Sequence, residues 1–85
     1  MSHDIVEMVK DLSVTIYGDI PVENEKLKNE LSQKIAVEVS AIICRNNIDK
    51  KKLCEYIEYK LWQEYDVLIS HSTRNKIYRL LGTNR

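Results

Sequence analysis

The chain has no phenylalanine, one tryptophan, one proline, two glycines and two cysteines in 85 residues, and each scarcity excludes something. Without Phe, the core must be built from Leu, Ile and Val, and the aromatic weight falls on five tyrosines and Trp62. Gly18 and Gly82 are isolated, so no glycine-rich loop can cradle a phosphate. With Pro21 alone, collagen-like and proline-rich architectures are excluded, and long helices can run uninterrupted. Cys44 and Cys54 do not make a disulfide framework and fall in no CxxC or Cys/His ligand spacing. They read as two reduced thiols acting as small hydrophobes, a cross-turn disulfide being the alternative. No uncharged run exceeds seven residues, which is too short for a membrane span. Asp4, Glu7 and Asp11 interrupt the first twenty residues, so no secretory h-region is expected and a cytoplasmic location is the default, or nuclear in a eukaryote.

What is present is charge, and it is sorted. The 13 acids and 13 Lys and Arg cancel to a formal net charge of zero. Residues 1–30 nevertheless hold Asp4, Glu7, Asp11, Asp19, Glu23, Glu25 and Glu30 against Lys10, Lys26 and Lys28. Val67 to Arg85 hold Arg74, Lys76, Arg79 and Arg85 and no acid. A cationic end and an anionic end give local potentials that the net value conceals, and local potential steers encounters.

Helical periodicity runs through the chain. Ile5, Val9, Leu12 and Ile16 recur at helical spacing, and Gly18 closes that helix at about Tyr17. Asp19-Ile20-Pro21 reads as a turn, with Pro21 placed to start the next helix. Leu27, Leu31, Ile35, Val39 and Ile42 form a longer stripe to about Arg45, broken by Asn46-Asn47. Asp49 caps a third helix through Lys50–Tyr65. After a short extended link, Ser70 or Ser72 caps a last helix with an apolar face of Ile77, Leu80 and Leu81, stopped by Gly82. The expectation is an all-α single domain over residues 1–85, a small bundle of about four helices with the last two in a helix-turn-helix-like arrangement. Leu31, Ile35, Val39, Leu53, Ile57, Leu61, Ile77 and Leu80 should form its core. Ser13–Tyr17 and Val67–Ser70 lean toward β and are where the all-α reading is weakest.

The third helix has no wholly polar side. Leu53, Cys54, Ile57, Leu61 and Tyr65 share one broad face, Trp62 lies at its edge, and Tyr56 and Tyr59 fall on the other side. Such a helix is either sandwiched between neighbours or presents aromatics to a partner. In a bundle this small, central burial is the expectation.

Catalytic constellations are thin. Ser70, His71 and Ser72 are sequence neighbours and so do not face one another as nucleophile and base. His3 sits at the terminus, and Glu55, Glu58 and Glu64 are explained by a solvated face. No enzyme, cofactor or metal is expected.

The last two helices carry the sharper signal. Lys50, Lys51 and Lys52 open one, and Ser70-His71-Ser72-Thr73-Arg74-Asn75-Lys76-Ile77-Tyr78-Arg79-Leu80-Leu81 forms the other. A helix N-terminus with free amides and hydroxyls suits phosphate, and Arg and Asn are residue types that pair with guanine and adenine edges. From about Leu27 to Gly82 the chain resembles two tri-helical DNA-binding families. These are the C-terminal domain of the DEK chromatin protein with its relatives, and transposase helix-turn-helix domains whose Ser-x-Ser-Thr turn precedes a helix ending Tyr-Arg-x-Leu. The resemblance implies that Ser70, Ser72, Thr73, Arg74, Asn75, Lys76 and Arg79 face groove and phosphate, with Lys50, Lys51 and Lys52 on the flanking backbone. Arg74-Asn75-Lys76 stand as extra residues between the hydroxyl turn and Ile77-Tyr78-Arg79, a departure from the transposase pattern.

The chain's four-helix order, with Ile5-Val6-Glu7, Asp19-Ile20-Pro21 and Leu27-Lys28-Asn29-Glu30-Leu31, also resembles the small bacteriocin immunity proteins. That likeness implies a helical protein–protein interaction module, in which Tyr56, Tyr59 and Trp62 would form the interface. DNA is therefore the first expected partner, and a protein partner or homo-oligomer the alternative. Convergence of Lys50–Lys52 with Arg74, Lys76 and Arg79 on one face would favour DNA. Burial of those side chains against Glu23, Glu25 and Glu30 would favour the alternative.

Overall fold

The computed structural model describes residues 2–45 and 49–83, with side chains over 5–45 and 49–82. Asn46-Asn47, Arg85 and the side chain of His3 lie outside the described residues. Four α-helices account for most of them: α1 (Ser2–Tyr17), α2 (Glu25–Arg45), α3 (Lys50–Tyr65) and α4 (His71–Thr83). No strand occurs among the described residues, and Ser13–Tyr17 is the last turn of α1.

Local chemistry explains most of the boundaries. Asn24 caps α2, its Oδ1 accepting from the Leu27 amide at 3.0 Å. Pro21 therefore does not begin that helix. Ile20 is buried and Val22 packs on the core, and residues 20–24 form a non-helical link before the chain enters α2. Asp49 caps α3, its Oδ2 accepting from the Lys52 amide at 3.3 Å. At the other end Asp66 takes the left-handed conformation (φ 57°, ψ 36°), and its amide donates to the Trp62 carbonyl at 3.1 Å. Glycine usually fills such a cap, and an aspartate there is tolerated at some cost. Ser70, not Ser72, caps α4, its Oγ accepting from the Thr73 amide at 3.3 Å. Gly82 does not stop α4, since it lies within the helix without a positive φ.

One core draws on all four helices. Met8, Leu12 and Ile16 come from α1, and Ile35, Ala36, Val39, Ile42 and Ile43 from α2. The remainder are Leu53, Cys54, Ile57 and Leu61 of α3, Ile77 and Leu81 of α4, and Ile20 and Val67 from the links. Of the expected core, Leu31 and Leu80 are only partly buried, while Ile5 and Leu27 at the helix starts are exposed. Met8 and Leu81 take up that burial instead, because both lie on the side of their helix that meets the neighbours. The cysteines are not joined in a disulfide: Cys54 is buried and Cys44 lies at the surface.

Central burial of α3 is the expectation that fails. The most extensive packing is between α1 and α2, whereas α3 meets α4 and α2 more sparingly. It gives the core one stripe and leaves its far side in solvent. Tyr65 sits at the rim of that stripe, its hydroxyl donating to Glu38 Oε1 of α2 at 2.6 Å. Lys60 completes this junction, 3.4 Å from Glu38 and 2.7 Å from Glu64. The Tyr65 bond, aided by Lys60, holds the Glu38 carboxyl below its usual range. Burial first, and then the Glu38 bond, push the Tyr65 hydroxyl up to about 12.

Candidate functional site

Two surfaces carry the residues of interest, one on α4 and one on α3. The N-terminus of α4 is already occupied by an acid. Asp19, from the link after α1, accepts at Oδ2 from the Ser70 amide at 3.1 Å and from the Thr73 hydroxyl. Thr73 is completely buried. A carboxylate at a helix N-terminus satisfies free amides and complements the helix dipole, which is the same service a bound phosphate would perform.

The cations of α4 are answered in the same manner. Arg74 forks onto Glu58 of α3, with Nε 2.5 Å from Oε2 and Nη2 3.0 Å from Oε1. That contact raises the Arg74 pKa further. Lys76 Nζ lies 3.9 Å from Asp11 Oδ2 of α1, a looser contact. Ser72, Asn75 and Arg79 remain exposed along the outer side of α4. Lys50–Lys52 are placed near the far end of this helix, Lys50 Nζ lying 5.5 Å from the Tyr78 ring centre. Lys51 and Lys52 are exposed with no ionic partner among the described residues. The ten residues expected to meet DNA thus separate into an internally engaged group (Ser70, Thr73, Arg74, Lys76), the half-buried Lys50, and an open group (Lys51, Lys52, Ser72, Asn75, Arg79).

Between α3 and α4 runs an open groove of 470 Å³, lined by Lys51, Cys54, Glu55, Glu58, Arg74 and Tyr78. The Cys54 thiol donates to Glu58 Oε2 at 3.8 Å. Burial and the Glu58 charge push it up, the opposite of what a nucleophilic thiol requires. Among the described residues, no group of three or more His, Cys, Asp or Glu could hold a metal ion. No helix among them is long and apolar enough to cross a membrane.

The outer side of α3 is of another kind. Tyr56, Tyr59 and Trp62 are 50%, 61% and 48% exposed. At about 100° per residue they fall within a 120° arc opposite the Leu53–Ile57–Leu61 stripe. Lys52, Glu55, Gln63 and Asp66 share that outer side and are exposed. Lys52 and Asp66 stand at its two ends. The three aromatics were identifiable from the sequence, but Asp19 and Glu58 as the partners of α4 were not. Thr73 and Asp19 are 54 positions apart, and no local pattern announces a pairing of that length.

Comparison of the chain with protein-family models, with curated proteins and with solved structures finds no match.

Proposed function

We propose that this protein acts by binding another protein through the outer side of α3, with Tyr56, Tyr59 and Trp62 as the anchoring side chains. The observation that carries the reading is the set of half-exposed aromatics on one helix face. Tyr and Trp are enriched at interface centres because each removes a large apolar ring from water while ordering few torsions. Leaving three of them in water on one helix gives a surface that gains by being covered. The second support is negative: Arg74 and Lys76 are met by Glu58 and Asp11 within the fold, and the N-terminus of α4 is met by Asp19.

A DNA-binding reading retains one specific support, the open strip Ser72, Asn75 and Arg79 of α4 together with Lys51 and Lys52. If Lys51, Lys52 and Arg79 each neutralise one phosphate, the salt slope on duplex DNA is about −3.

The two readings separate in one paired experiment. The wild type, a Tyr56/Tyr59/Trp62→Ser variant and a Lys51/Lys52/Arg79→Ala variant are titrated against mixed-sequence duplex at two salt concentrations. The same three proteins serve as bait for proteins of the native host. The expected result is negligible duplex binding by all three, and a discrete protein retained by wild type and the α4-side variant but lost by the α3 variant. Salt-dependent duplex binding abolished only by the Lys51/Lys52/Arg79 substitutions would overturn the proposal.

A further inference from the structure

We draw no further inference here: the strongest candidate, the open groove between α3 and α4 lined by Lys51, Glu55, Glu58, Arg74 and Tyr78, sets two cations against two carboxylates and already joins Arg74 to Glu58, so nothing in the structure shows what would occupy it.

Discussion

The cations of α4 and the aromatics of α3 meet opposite fates in this fold. Arg74 and Lys76 lie within ion-pair distance of acids on α3 and α1, and the N-terminus of their helix is closed by Asp19. Tyr56, Tyr59 and Trp62 have no such answer and stand half in water. The difference has a physical origin. A charge can be met by any flexible acid that swings into reach, so charges sorted along a chain are readily matched once the ends fold together. An exposed aromatic needs a whole complementary surface, and a bundle of this size has spent its surfaces on one core. Residual binding capacity therefore lies with the rings more than with the charges.

The sharpest way to break this comparison is to exchange the two sides of α3. Ile57 is completely buried, and Ile57→Ala is expected to cost about 2–5 kcal/mol. For a domain of this size that lowers the melting temperature by roughly 10–30 °C. Tyr59→Ala, half a helical turn away, is expected to stay within about 0.5 kcal/mol of wild type. Comparable losses at both positions in thermal denaturation would show that the outer side is part of the core.

The clasp at α4 comes next in size. Asp19→Ala removes the acceptor of both the Ser70 amide and the buried Thr73 hydroxyl, leaving the latter its 3.3 Å contact with Ser70 Oγ, and is expected to cost on the order of 1–3 kcal/mol. Thr73→Val removes the hydroxyl that donates to Asp19, so Asp19→Ala should cost less in that background. Additive losses in a denaturant-based double-mutant cycle would mean that the two residues are uncoupled.

A titration sharpens the contrast between buried and surface polar pairs. Tyr65 is pushed up to about 12 from an ordinary value of 10.0, so its contribution is complete below pH 10 and is lost as pH rises toward 12. Glu38 is held below its ordinary 4.5, so its contribution is present above that value and is lost as pH falls through the lowered one. Tyr65→Phe should flatten the alkaline loss and weaken the acid one, because the Tyr65 bond is the largest influence on Glu38. Parallel stability–pH profiles for the two proteins would remove the Tyr65–Glu38 bond from the account.

The smallest effect on stability is expected at Glu58. Glu58→Gln opens the Arg74 fork, a partly exposed surface pair, and should change the melting temperature little. It releases one cation on α4, however, so any duplex DNA affinity should rise and its salt slope steepen by about one. An unchanged slope would mean that Arg74 does not face the phosphate even when it is unpaired.

The helices were legible because their signals are local. Asp49 and Ser70 cap through amides three residues away, and the bounds of α3 at Lys50 and Tyr65 were readable from that cap and the apolar stripe. Pro21 and Gly82 misled for a related reason. Each permits a helix boundary without requiring one, and the Asn24 cap and the burial of Ile20 decided the start of α2. The same limit applies to the site. Tyr56 and Tyr59 could be assigned to the weaker apolar side of α3 from spacing, and Trp62 to the edge of the core face, but whether another helix would cover that side was beyond any local pattern.

By itself, the sequence determined an all-α chain, four helix positions, most of the core and a charge polarity from one end to the other. These follow from 3.6-residue periodicity and from caps that act within one turn. The tertiary structure alone decided that α3 lies at the edge, that Asp19 closes α4, and that Glu58 takes Arg74. Those outcomes depend on which helix faces meet, a choice made by the packing of the whole core and carried by contacts up to 54 positions apart.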